Sequence, residues 1–113
     1  MSILTPDYST LNHEDMAENI SINIKYIPIL INSFIKESAI IMQTLETAVK
    51  DRNFSEIKSN AHAMKGSAGN LRFNEIYEMS KEMEFAATDL KEEFEYEAYM
   101  EALNNAIATI KAV

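Results

Sequence analysis

The chain has 113 residues, a formal net charge of −8, no cysteine, and only two glycines and two prolines. That length suits one domain, residues 1–113, with a modest core and no covalent staple. Missing cysteine excludes thiol catalysis and cysteine metal sites and fits a reducing compartment, while the acidity argues against a nucleic-acid partner, which would want a basic patch.

Apolar residues recur at helical spacing almost throughout, with little strand signal. A short helix is predicted over residues 12–20, with Asp7 and the stretch 9–12 offering caps and Leu11, Met16 and Ile20 on its apolar side. After a break at 21–23, a long helix covers roughly 24–50, with Ile27, Ile31, Phe34, Ser38, Ile41, Leu45 and Val49 inward. Pro28 fits a first helical turn, which moves the start towards Tyr26 or Ile27.

Asp51, Arg52 and Asn53 form a turn, and Asn53 followed by Glu56 reads as a capping box opening the next helix. Phe54, Ile57, Ala61, Met64, Ala68 and Leu71 make its apolar stripe. A break at Arg72 and Phe73 leads to a helix capped by Asn74, with Ile76, Met79, Met83 and Ala86 or Ala87 inward. Residues 88–95 are polar and acidic and read as a loop. The last helix covers about 96–111, with Tyr99, Leu103, Ala106, Ile107 and Ile110 inward. These elements predict an all-α fold: an antiparallel, up-and-down four-helix bundle with a short additional N-terminal helix.

No run approaches about 18 apolar residues, so no membrane span is expected. The opening Met1-Ser2-Ile3-Leu4-Thr5-Pro6-Asp7 lacks the basic-then-apolar layout of a secretory leader. The cytoplasm is the default location, and Met1 with a whole bundle favours a free protein over an excised domain.

Charge is uneven. Residues 50–72 hold Lys50, Arg52, Lys58, Lys65 and Arg72 against Asp51 and Glu56, a balance of +3, whereas residues 75–101 balance at −8. Both glycines and His62 lie inside the basic window. Lys58, His62, Lys65 and Gly69 follow one another at spacings of four, three and four, on a face out of phase with the core stripe. Neutral imidazole is a good nucleophile near pH 7. A phosphoryl acceptor needs little more than exposure, alignment and nearby cations to offset the transferring oxygens. Lys65 supplies a cation one turn from His62, Lys58 adds longer-range attraction, and Gly66 and Gly69 lower the wall around the imidazole. A glycine inside a helix costs about 1 kcal/mol relative to alanine, so two in four residues ask for a reason. Close helix packing around an ordinary surface histidine is the bland alternative.

The run His62-Ala63-Met64-Lys65-Gly66-Ser67-Ala68, closed by Leu71, resembles the motif of histidine-containing phosphotransfer (HPt) domains of multistep two-component signalling. The likeness extends to Phe34 and Leu45 in the long helix, to Asp51 ahead of the histidine helix, and to Met83-Glu84. It implies a four-helix bundle in which His62 accepts a phosphoryl group from a receiver-domain aspartate and passes it to another. The partners implied are response-regulator receiver domains, free or within a hybrid histidine kinase. The chain itself would be a monomeric carrier without kinase activity and would bind no cofactor; magnesium would sit on the receiver. Asn60, Ala63, Ser67 and Asn70 would adjoin the docking face. Where many members carry glycine shortly after Leu71, this chain has Arg72-Phe73; Arg72 either reshapes the helix end or adds charge at the docking rim. Glu84 stands where some relatives have a glutamine facing the histidine, and it either holds the imidazole or is a plain surface acid.

Two rivals remain in view. One is the same bundle acting as an interaction module without phosphorylation, binding a receiver domain or a regulatory helix. The other is a carboxylate metal site drawing on Glu14, Glu18, Glu75 and Glu78, which lack the Glu-x-x-His pairing of bundle di-metal centres. His13 reads as an exposed histidine at a helix start, and Met42, Met64, Met79 and Met83 as core filling.

Overall fold

A computed structural model describes residues 3–113; Met1 and Ser2, on which the expectation of a free chain partly rests, lie outside the described residues. Five α-helices follow in order: α1 His13–Asn19, α2 Ile27–Lys50, α3 Phe54–Asn70, α4 Asn74–Thr88 and α5 Tyr96–Ala108, with a 3-10 turn Ile24–Tyr26 leading into α2. There is no strand among the described residues. The helices α2 to α5 form a ring, each packing on its chain neighbour and α5 closing on α2, while α1 covers one end of α2. Cross-helix contacts fix the directions. His62 meets Glu84 and Gly69 meets Tyr77, so seven residues forward in α3 match seven back in α4. Asn32 bonds Val113 at one end of α2, and Arg52 bonds Glu97 at the other. The expected antiparallel bundle is therefore the observed one.

Each helix from α1 to α4 ends in the same backbone device. The N–H groups of Ile22, Asn53, Phe73 and Lys91 reach back to the carbonyls of Ala17, Ala48, Ala68 and Ala86, and the residue before each has a positive φ. This is the Schellman cap, whose left-handed position normally takes glycine. Here the four positions are Ser21 (φ 56°), Arg52 (51°), Arg72 (62°) and Leu90 (54°). The chain uses neither of its glycines to turn.

This device explains two departures from the sequence reading. Asn53 does cap α3, its side chain accepting from the Glu56 N–H, but its own N–H is bonded to Ala48 O, so Glu56 has no capping-box partner there. Asn74 is not a cap; it is the first residue of α4, and the capping position is Phe73, which makes no side-chain cap bond. Phe73 is buried instead, with its ring 4.8 Å from Tyr8 and 5.0 Å from Phe34. Aromatic packing has displaced polar capping at that corner. Pro28 stands in the first turn of α2, which accordingly begins at Ile27.

The core is close to the expected one. Ile27, Ile31, Phe34, Ser38, Leu45 and Val49 of α2 are buried, and so is Met42, as expected, but Ile41, also expected inward, is only half-buried. Met64, Met79 and Met83 are fully buried. The loop before α5 is less polar in effect than in composition, because Phe94 packs on Tyr96 and Tyr99 with ring centroids 4.9 and 4.6 Å apart. The last helix stops at Ala108, short of the expected end. Thr109 turns it off: its hydroxyl donates to Ala106 O and accepts from the Tyr8 N–H, tying the N-terminal segment to the end of α5. No described helix is long and apolar enough to cross a membrane.

The left-handed turns are testable at Leu90, whose side chain is 66% exposed. A left-handed residue with a Cβ costs roughly 1–2 kcal/mol, against which glycine loses about 0.5–1 kcal/mol of unfolded-chain entropy. Leu90→Gly should therefore raise stability by about 0.5–1 kcal/mol in chemical denaturation, whereas Leu90→Ala should not.

Candidate functional site

The apolar stripe of α3 places Ile57, Ala61, Met64 and Ala68 in the core and so turns His62 outward, where its side chain is 67% exposed. The antiparallel register of α3 and α4 brings Glu84 directly behind it. His62 Nδ1 lies 2.8 Å from Glu84 Oε2, and Lys65 Nζ lies 2.7 Å from Glu84 Oε1. One carboxylate thus holds both members of the motif, one on each oxygen. Glu84 is only 11% exposed and Lys65 21%, so the charged pair lies under an open imidazole.

Burial pushes the Glu84 carboxyl up, but hydrogen bonds from Lys65 and His62 outweigh it and hold the group below the ordinary 4.5. Glu84 is therefore an anion at neutral pH. A carboxylate accepts only, so the Nδ1 that faces it carries a proton, and in the neutral ring the lone pair is then on Nε2. Among the described residues Nε2 has no partner, and it is the nitrogen left to meet a second molecule. The hydrogen bond to Glu84 raises the Lys65 ammonium above its usual range. Of its three donors, this contact uses one.

The two glycines have different surroundings. A Cβ on Gly66 would meet nothing within 4 Å, which agrees with a wall lowered beside the histidine. A Cβ on Gly69 would stand 3.2 Å from the Tyr77 ring, so Gly69 serves close packing of α3 on α4 and not access to the imidazole.

The other expected site residues are dispersed. Lys58 is exposed and makes no ion pair among the described residues. Ser67 donates a hydrogen bond to Glu37 of α2 and is half-buried. Arg72 folds back so that its guanidinium donates to Gly69 O, 2.8 Å away, capping α3; it reshapes the helix end. Arg52 bonds Glu97 at 3.0 Å and lies over the Tyr96 ring. The positive window is thus largely cancelled in space, because Glu84 and Glu97 from the acidic stretch pair with two of its cations. Asn60 donates to Glu56 O along its own helix, and Ala63 and Asn70 are exposed. His13 opens α1, half-buried. Glu75 accepts from the Tyr8 hydroxyl at 2.6 Å, and no group of three or more potential metal ligands forms among the described residues.

Sequence reading missed Phe85. It follows Glu84, is 54% exposed, and has Lys65 Nζ and Lys81 Nζ 6.0 and 5.8 Å from its ring centroid. The signal was available: an aromatic one position out of phase with the buried Met83 and Ala86. Glu37 was missed as well, since its link to Ser67 depends on the α2–α3 register.

The site is thus an exposed histidine on a helical bundle, backed by a nearly buried carboxylate and a lysine. The family model of the Hpt domain matches residues 29–113, and the chain belongs to that family. Hpt domains are histidine-containing phosphotransfer modules of two-component signalling, phosphocarriers and not kinases, and they engage receiver domains. The match starts within α2 and leaves α1 and the 3-10 turn outside it. No curated protein and no solved structure matched the chain.

Two measurements follow. Gly66→Ala should stabilise the bundle by about 1 kcal/mol through helix propensity, while Gly69→Ala gains less because the Tyr77 ring must shift; thermal unfolding compares them. Glu84, with its folded pKa depressed, contributes stability that is present above pH 4.5 and lost as pH falls through the lowered folded value. Glu84→Gln should flatten the loss of stability below pH 4.5 in denaturant titrations, leaving the part due to Asp7 and Glu97, which Ser9 and Arg52 hold low.

Proposed function

We propose that residues 1–113 form a single phosphotransfer domain that takes a phosphoryl group on His62 from a receiver-domain aspartate and delivers it to another. The observation that carries this reading is the pairing of an exposed imidazole with a buried acceptor: Nδ1 is tied to Glu84, and Nε2 has no partner among the described residues. The nucleophile is thereby held in one tautomer and one orientation before a partner arrives, which is where positioning contributes to phosphoryl transfer.

In the transfer, the Nε2 lone pair forms the bond to phosphorus as the bond to the aspartate oxygen breaks, and the pair in that bond leaves with the aspartate. Lys65 has donors left for the transferring oxygens, and Lys58 adds positive charge one turn before His62. The open space over Gly66 admits the partner, and Ser67 and Gly69 support the helix that carries the site. Magnesium belongs to the receiver in this scheme. The chain acts as a monomeric carrier without its own kinase activity, in the cytoplasm, where receiver domains and hybrid kinases supply its partners.

Incubation with receiver domains carrying labelled phosphate should transfer an acid-labile, alkali-stable label to the chain, and His62→Gln should abolish it. Lys65→Ala should slow transfer about a hundredfold or more without unfolding the bundle. Gly66→Gln, which leaves the core untouched, should block transfer by obstructing approach. Undiminished labelling of His62→Gln would overturn the assignment.

A further inference from the structure

We infer that Glu84 makes His62 a fast but short-lived phosphoryl donor, an effect that requires a carboxylate and that a neutral amide at the same place would not supply. The inference deepens the reading of His62 as the phosphoryl carrier and rests on it.

The geometry supplies the reason. With Nδ1 bonded to Glu84 Oε2 at 2.8 Å, attack through Nε2 yields a phosphorylated ring that still bears its Nδ1 proton. That adduct is cationic at the ring, and the anion behind it stabilises the proton by a charge-assisted hydrogen bond. When an aspartate oxygen attacks phosphorus in the next transfer, the P–Nε2 bond breaks and its electron pair returns to Nε2. The departing group is then neutral imidazole, and no proton moves in either direction. Were the Nδ1 proton lost, the departing group would be an imidazolide anion, a far poorer leaving group. Glu84 therefore keeps the adduct in its reactive form, towards a receiver and towards water alike.

A bare carboxylate so close would repel the incoming phosphoryl group. Lys65 removes that objection, because its ammonium lies 2.7 Å from the second oxygen and the pair presents no net charge. The charged groups around the ring are Lys58 and Lys65 from α3 and Glu84 from α4, with Lys81 further out over Phe85. Burial of Glu84 strengthens its hold by reducing competition from water. Glu84 acts through the imidazole and not on the phosphoryl group, so it is a positioning residue.

The test labels the protein with phosphoramidate, a small donor to histidine that needs no receiver, in a His13→Gln background that leaves His62 as the only histidine. Phosphorus NMR reads which ring nitrogen is labelled, and decay at neutral pH gives the lifetime. Wild type and Glu84→Gln should both carry the label on Nε2. In Glu84→Gln it should last about three- to tenfold longer, the factor by which a charged hydrogen-bond acceptor outdoes a neutral one, and pass to a receiver correspondingly more slowly. Glu84→Ala, with nothing to hold Nδ1, should place part of the label on that nitrogen. Equal or shorter lifetimes in Glu84→Gln would overturn the inference, as would a label confined to Nε2 in Glu84→Ala. Failure of every receiver to label wild type would instead count against the relay, and the phosphoramidate lifetimes would still decide the role of Glu84.

Discussion

The Glu84 carboxylate, shared between His62 and Lys65 across the α3–α4 seam, is the contact around which the site is organised. A single anion taken out of water is costly, and it is tolerated here because each oxygen meets a donor. The requirement runs both ways. Glu84 needs Lys65 to remain charged in a nearly buried position, and His62 needs Glu84 to hold its tautomer. The bond between them exists only if α3 and α4 keep one register. That register is set by the core: Ala61, Met64 and Ala68 on one helix and Ile76, Met79 and Met83 on the other are all fully buried. Packing of apolar side chains thus fixes the chemistry of an exposed nitrogen.

The short connections serve the same end. In α2–α3 and α3–α4, the residue that finishes the Schellman cap of one helix is also the capping position of the next, Asn53 in the first and Phe73 in the second. Three residues reverse the chain, and little slack is left for one helix to slide on its neighbour. At the far end the bundle is closed by rings, with Phe54 and Phe94 on Tyr96 and Phe94 on Tyr99, and by Arg52 bonded to Glu97. An exposed ion pair of that kind contributes little by itself. Its guanidinium also lies over the Tyr96 ring, so the arginine packs as well as pairs.

Much of this was legible in the residues, and the limits have physical causes. Helical periodicity separates His62 from Ile57, Ala61 and Met64 because burial follows the 3.6-residue turn, and the motif places Lys65 on its side. Periodicity is weaker where neighbours both fit, as with Ile41 and Met42; the flexible thioether took the core position. Local capping rules fail at Asn74, where a ring at Phe73 had more surface to bury than a polar cap had bonds to offer. Above all, local spacing is silent about pairs formed across helices. Glu84 lies 22 residues from His62, and Glu37 lies 30 from Ser67. Only the register decides whether such a carboxylate faces a partner or water. The same blindness made the basic window look more positive than it is, since two of its cations meet acids from the acidic stretch.

Glycine is distributed against the needs of the backbone. Four positions with left-handed backbone would each accept glycine with relief, and the chain puts serine, two arginines and leucine there. Both glycines stand instead inside α3, where each costs about 1 kcal/mol of helix stability. Gly69 has an internal return, because the Tyr77 ring lies where its Cβ would be and the seam closes tightly there. Gly66 has none: among the described residues, nothing beyond its own stretch of helix approaches within 4 Å of the missing Cβ. A cost with no benefit inside the fold points outside it. One turn from an imidazole already fixed at Nδ1 and free at Nε2, the empty space over Gly66 is intelligible as room for a second protein.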